Sequence, residues 1–353
     1  MTALAVTLGT AQAAQLTVLD TRKELEAATL KGVRLAPDSA LRATLEPNTT
    51  TGSLETGVIP SAAFDTAIVS WNAITPMGTS LRLEVRARLG TRWTRYYAVG
   101  LWSTDPALPR HSFKQSRDAD GAVNTDTLEL KRQANAVQVR AILNSLTPGV
   151  TPELHLLAAV TSNSGQHYTP SPTPSNRRAW GRELNVPSRS QMIYPDGGEV
   201  WCSPTSVTMI LEHWSRRLKT NLAQPVPITA RAVWDSVYDG AGNWPFNTAY
   251  AGSKGLRAYV HRLSSLAEAE AFIVRGVPLV MSIGWGVGEL DGVHLPKSNG
   301  HIVVLRGFTR TGNPIINDPA ARTDAGVRTI YNRAQFERAW IGHSGGVIYV
   351  IEH

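Results

Sequence analysis

Two kinds of hydrophobic spacing divide this chain. In the first half apolar positions recur every second residue. Leu81, Leu83, Val85, Ala87 and Leu89 alternate with Arg82, Glu84, Arg86 and Arg88, as in a strand with one buried and one wet face. Gly90-Thr91 marks a turn, and Trp93–Leu101 reads as the partner strand. Phe64–Ile74, Thr127–Leu130, Val137–Leu143 and Leu154–Val160 are further strand-like runs. Leu16, Val18 and Leu19 could begin another strand, whereas the Thr-, Gly- and Pro-rich residues 46–60 read as loop. Several short strands with no helix between them predict an antiparallel β-sandwich domain over residues 15–160.

The second half carries helical spacing. Val207, Ile210, Leu211 and Trp214 recur at i, i+3, i+4 and i+7, one apolar stripe of a helix. Ser203 and Thr205 are capping residue types, Pro204 suits a first turn, and Arg216, Arg217 and Lys219 stand near the C-terminal end. Ala230–Tyr238, with Val233, Trp234 and Val237 on one face, and Leu266–Val274, starting near Ser264 and Ser265, predict two more helices. Gly240–Lys254 reads as an irregular loop, Val277–Ile283 as a buried strand and Gly284–Asn299 as a Gly-rich loop. His301–Phe308 is an apolar strand, Thr311-Gly312-Asn313 a turn, and Pro314–Asn317 a short returning strand that ends at Asp318-Pro319. Helices and antiparallel strands together predict an α+β domain over residues 179–353. Residues 161–178 separate the halves. Their Ser/Thr/Pro-rich stretch, with Pro170, Pro172 and Pro174, predicts an extended linker.

Composition narrows the class. A chain of 353 residues with 42% hydrophobic content is long enough for two real cores. No apolar run is long enough to span a membrane. The net charge of +7 comes from scattered basic residues, which argues against a nucleic-acid partner and is consistent with an anionic envelope polymer. A single cysteine excludes an intramolecular disulfide. Residues 1–14 are apolar and end in small residues, with Ala11-Gln12-Ala13 as an A-x-A cleavage pattern. That predicts a signal segment and a secreted or envelope protein. Trp71, Trp93, Trp102, Tyr96 and Tyr97 would serve either as core or as a carbohydrate- or wall-binding surface. Asp118, Asp120, Asn124 and Asp126 surround a glycine as in a calcium loop, but the closing Glu is missing, and a solvated turn fits better. No cluster has metal-ligand spacing, so no metal or cofactor is expected.

The candidate chemistry centres on Cys202, which precedes the amphipathic stripe. A helix N-terminus favours thiolate over thiol, so a fold would place a nucleophilic sulfur there. In the predicted hairpin the start of the first strand faces the end of the second. His301 and Asp318 then fall opposite each other or about one pair off. A thiol, an imidazole that moves its proton and a carboxylate that orients the imidazole are what cysteine catalysis requires. Gln191, a short way upstream, is the candidate side-chain donor to an oxyanion. His213 reads as a helix-face residue, and His294 and His343, near glycines, are weaker cleft candidates.

YPDGGEVWCSPTSVTMIL, NGHIVVLRGF and PIINDPA resemble the papain-like cysteine peptidases of the bacteriocin-processing (double-glycine leader) superfamily, in its stand-alone branch. The resemblance covers residues 184–353, YNRAQFERAWIGHSGGVIYVIE included. It implies a papain-like α+β fold with Cys202 as nucleophile, His301 as base and Asp318 as orienter. Ser203 stands where many relatives have Gly. The function expected is an exported cysteine peptidase acting on peptides or proteins through a thioester. The alternatives are a peptidoglycan amidase or endopeptidase acting on cell-wall peptides, and a wall-binding protein without turnover.

Overall fold

The computed structural model describes residues 14–114, 116–164 and 173–353. The expected signal segment, Ala14 aside, and Pro170 and Pro172 of the expected linker lie outside them.

The first half is entirely β. Its strands are β1 (Gln15–Leu19), β2 (Thr29–Lys31), β3 (Val33–Leu35), β4 (Ala43–Leu45), β5 (Thr51–Glu55) and β6 (Ile59–Ile74). They continue with β7 (Thr79–Leu89), β8 (Arg92–Trp93), β9 (Tyr97–Trp102), β10 (Gly121–Asn124), β11 (Thr127–Ser145) and β12 (Glu153–Ser162). All pair antiparallel, and hydrogen bonding joins them into one 12-stranded sheet. The two separate runs expected at 127–130 and 137–143 are one strand, β11, bent by register shifts between Glu129 and Ala136. A bulge lets a long strand turn without leaving the ladder. The first part of β11 pairs with β6 and β10, and its last part with β5 and β7. The loop expected at 46–60 in fact contains β5 and the start of β6. β12 runs to Ser162, so the expected linker begins in strand.

Burial follows the alternation only in part. Leu81, Leu83, Val85 and Ala87 are fully buried. Glu84, on the face read as wet, is also buried, held by Arg82 at 2.7 Å and by Arg140. The aromatics are not open platforms. Trp71, Trp102 and Tyr97 are buried. Arg86 lies over the rings of Trp93 and Tyr96, and Arg140 over Tyr96, stacking that occupies those faces. Asp118 accepts from Tyr97 and Arg95, and Asp120 from Arg92 and Arg132.

The second half contains α1 (Cys202–Leu218), α2 (Val226–Val233), α3 (Trp244–Gly252), β13 (Arg257–Arg262), α4 (Leu266–Arg275) and β14 (Leu279–Trp285). β15 (Ser298–Phe308), β16 (Pro314–Asn317), β17 (Arg328–Ile330), α5 (Arg333–Ser344) and β18 (Val347–Glu352) follow. Its antiparallel sheet has the order β13-β18-β14-β15-β16-β17. With the β-rich first half, this makes the chain α+β. α4 starts as expected, with the Ser265 side chain accepting from the Glu268 N–H. Two expectations fail. The helix read at 230–238 lies earlier, as α2, and ends at Val233. Asp235 then folds the chain back by accepting from the N–H groups of Val237 and Tyr238. The loop read at 240–254 contains α3, started by an Asn243 cap and Pro245. α3 is buried from Pro245 to Gly252 and therefore shows no amphipathic stripe.

The halves share a core. Phe246 of α3 meets Trp71 and Trp102 edge-to-face, with centroids at 6.0 and 5.6 Å. β13 is an edge strand whose outer backbone groups would otherwise lack partners. Asn72 of β6 accepts from the Ala258 N–H at 3.0 Å and donates to its carbonyl at 2.7 Å, and Ser70 accepts from Val260. Asp126, at the turn between β10 and β11, accepts from the Trp244 N–H at the start of α3 at 2.9 Å.

Candidate active site

The site is built where the start of α1 meets β15. Cys202 is the first residue of α1 and is partly buried. Ser203 and Thr205 do not cap the helix. Its N-cap is Trp201, which offers no side-chain cap, and the Ser203 hydroxyl instead bonds Tyr349 of β18 at 3.0 Å. The first N–H groups of α1 therefore keep their partial positive charge beside the sulfur. Val207, Ile210, Leu211 and Trp214 are buried, so the stripe that faces the core fixes the helix and its first residue.

His301 lies within β15, buried between neighbours. Asp318 follows directly on β16, with its N–H bonded to the Val327 carbonyl at 2.8 Å. The hairpin forms, but its register differs from expectation. Val304 pairs with Asn317, which sets Val303 against Asp318 and leaves His301 two residues further along. Two residues is one strand repeat, so His301 and Asp318 share a face as diagonal neighbours. The side chains span that gap, with His301 Nε2 2.7 Å from Asp318 Oδ1. The Cys202 side chain lies close enough to the imidazole to raise its pKa.

Asp318 is fully engaged. Besides the imidazole it accepts from the Ala320 N–H at 2.9 Å and from the Tyr331 hydroxyl at 2.6 Å. Burial alone would raise its pKa, but the charge and hydrogen bond of His301, with Tyr331 and Ala320, pull it below the ordinary carboxylate range. For His301, burial works downward. The Asp318 charge and hydrogen bond, with Cys202, outweigh it and hold the imidazole above its usual value. The site thus favours a protonated imidazole beside an ionised carboxylate. Trp285 meets His301 edge-on, with centroids at 5.8 Å, and shields the pair.

Gln191 reaches the same region. Its backbone N–H donates to the Pro319 carbonyl at 2.9 Å, and its buried side chain donates to the Gly198 carbonyl at 2.8 Å. It ties the segment before Cys202 to the segment after Asp318. Position 198 must be glycine, because a Cβ there would lie 2.1 Å from the Gln191 carbonyl oxygen. The other histidines lie elsewhere or act differently. His213 is not on an exposed face but buried, bonded to the Asn185 carbonyl. His294 is exposed beside Thr329. His343 belongs to the last turn of α5 and fills the space over Gly284, whose Cβ would lie 2.4 Å from its ring.

Sequence reasoning missed Tyr331 and Trp285. A tyrosine just past a three-residue strand carries no local sign of its partner. Trp285, by contrast, ends the apolar run that pairs with His301's strand, and that placement could have found it. Among the described residues no group of His, Cys, Asp or Glu is arranged to hold a metal ion. None of their helices is long and apolar enough to cross a membrane.

Residues 8–162 match the family described as Peptidase C39 N-terminal domain, and residues 183–347 match the Peptidase C39-like family. Among solved structures, a Bacillus anthracis protein described as a C39-like peptidase shares 16% identity, covering 49% of this chain and 98% of its own, with a TM-score of 0.35. The C-terminal CBM6 of a laminarinase from Zobellia galactanivorans shares 8% identity, covering 42% of this chain and 100% of its own, with a TM-score of 0.24. No curated protein matches the chain. The two family matches together take in all but the linker and the chain ends: residues 8–162 belong with the Peptidase C39 N-terminal domains and residues 183–347 with the Peptidase C39-like family.

Proposed function

We propose that the chain is an exported, papain-like cysteine peptidase that hydrolyses peptide bonds through a Cys202–His301–Asp318 triad. The observation that carries this reading is the hydrogen-bonded line from His301 through Asp318 to Tyr331, with Cys202 beside the imidazole. His301 Nε2 is taken by Asp318, which leaves Nδ1 for the thiol. The proton that His301 holds is the one taken from the thiol, and the sulfur, as thiolate, attacks the peptide carbonyl carbon. The Cys202 N–H and the Gln191 carboxamide are the proposed donors to the oxygen that becomes negative. The C–N bond then breaks, His301 returns the proton to the leaving amine, and a thioester remains. A water molecule, deprotonated by His301, attacks that thioester. The S–C bond breaks, the acid is released and the thiol is restored.

A peptide carrying a thiol-directed electrophile, followed by mass spectrometry, tests the nucleophile, and turnover of a peptide library tests the reaction. Labelling at Cys202 with library turnover, both lost in Cys202→Ala, is expected. An unlabelled Cys202 in folded protein, or turnover that survives Cys202→Ala, overturns the reading. Export is tested by N-terminal sequencing of protein recovered outside the producing cell. A start after Ala13 is expected, and retention in the cell with residues 1–13 intact overturns it.

A further inference from the structure

A cavity of about 510 Å3 lies next to the start of α1, and both halves of the chain build it. Trp201, the residue before Cys202, lines it together with Tyr194, their rings 6.1 Å apart. α2 supplies Pro227 and Ala230, and Trp234 follows from the chain just past that helix. The third wall belongs to the first half, where Pro106, Pro109 and Arg110 follow β9. Arg110 locks this wall in place. Its guanidinium donates to the carbonyls of Ser103 at 2.9 Å, Arg231 at 3.0 Å and Trp234 at 3.3 Å. All three partners are neutral, and the other charged side chains of the lining, Arg231 and Asp196, are of opposite sign, so the lining as a whole stays net positive.

Three features decide what such a cavity takes. Its size falls in the range of about 300–1,000 Å3 used by binding sites. Its proline and aromatic rings present flat apolar faces, which suit proline or aromatic side chains in an extended segment. Its fixed guanidinium disfavours a cation. Position supplies the rest. Adjacent Cα atoms lie about 3.8 Å apart, so the backbone of Trp201 is one residue from that of the nucleophile, and an extended peptide advances about 3.3 Å per residue. We propose that this cavity is the specificity subsite of the peptidase, filled by an aromatic or proline side chain within three residues of the scissile bond. Basic residues are excluded there. The first half of the chain is then part of the substrate site and not only an appendage to it.

This inference rests on the peptidase reading above, so its test uses two readouts on the full-length protein. Peptides carry Phe, Pro, Ala or Lys at each of three positions on either side of the scissile bond. Turnover is measured for wild type, Trp234→Ala, which removes one wall, and Ser236→Trp, which fills the cavity from its exposed rim. Binding of the same peptides to Cys202→Ala protein, with and without Ser236→Trp, is measured by calorimetry. One position should prefer Phe or Pro over Lys by about tenfold or more, and that ratio should collapse toward one in both variants. Phe or Pro peptides should bind Cys202→Ala protein and lose about tenfold affinity when Ser236→Trp is added. Unchanged ratios in both variants, or Lys accepted at every position as well as Phe, would overturn the subsite. If wild type cleaves no peptide, the peptidase reading fails separately and calorimetry decides the cavity: binding that Ser236→Trp weakens sustains it, and no binding or unaltered binding refutes it.

Discussion

Asp318 is held by an imidazole, a phenol and a backbone N–H, and each side-chain partner can be removed separately. His301→Ala removes the proposed base and should lower turnover by at least about a hundredfold. Asp318→Asn can still accept the ring N–H and should retain partial activity, while Asp318→Ala should retain less, since nothing then orients the ring. Activity should therefore fall from wild type to Asp318→Asn, then to Asp318→Ala, and lie lowest in His301→Ala. Equal activity per folded molecule in both 318 variants, with a lowered thermal midpoint, would make Asp318 a turn residue only. The same pair shapes stability against pH. A raised folded pKa at His301 gives stability that is full below the unfolded value of about 6.5 and is lost as pH rises through the folded value. A lowered folded pKa at Asp318 gives stability that is full above about 3.9 and is lost as pH falls through the folded value. The pair therefore contributes most between about pH 4 and 6.5. Thermal midpoints across pH should show a shallower acid limb for Asp318→Asn than for wild type. Parallel acid limbs would mean that folding does not lower the Asp318 pKa.

At the scale of elements, the turn between β10 and β11 carries a charge to the start of α3. Burial pushes the Asp126 carboxyl up to about 6, against the opposing pull of the Trp244 N–H, the Thr127 hydroxyl and Arg262. A raised folded pKa means that the contribution of Asp126 is present below its unfolded value of about 3.9 and is lost as pH rises through about 6. Asp126→Asn keeps an acceptor for Trp244 and removes the titration. Relative to wild type, the variant should gain stability from pH 4 to pH 7, by up to roughly 3 kcal/mol. Denaturant unfolding at the two pH values measures this, and a constant difference between the proteins would mean that folding does not raise the Asp126 pKa.

The whole molecule behaves as more than two beads on a linker, because an edge strand of one sheet is covered by side chains of the other. Asn72→Ala would strip the buried Ala258 N–H and carbonyl of their partners, at roughly 1–3 kcal/mol for each group. The thermal midpoint should fall accordingly. With Trp71, Trp102 and Phe246 in common, both halves of the wild-type chain should melt in one calorimetric transition. Two resolved transitions, with only the first shifted by Asn72→Ala, would show that the interface does not couple them. The proposed subsite belongs to this scale too, since its walls come from both halves.

Local pattern was enough for α1, α4, the alternation in β7 and the hairpin of β15 and β16. In each, the physical cause lies within a few residues: a helical stripe, a cap, a period of two, or a glycine turn. The candidate nucleophile and its two partners were legible for the same reason. A helix start, a strand and the residue just past its partner strand position them, and a two-residue error in register keeps a side chain on the same face. Tertiary structure alone decided the rest. α3, buried from Pro245 to Gly252, has no polar face to give it a period, and β11 reads as two strands because its bulges interrupt the alternation. Glu84 is buried because Arg140, from a distant strand, reaches it. Tyr331 meets Asp318, Asn72 meets β13 and Pro109 meets Trp201's cavity only after the chain closes. Such contacts depend on which surfaces come together, and residue spacing along a single element carries no record of that.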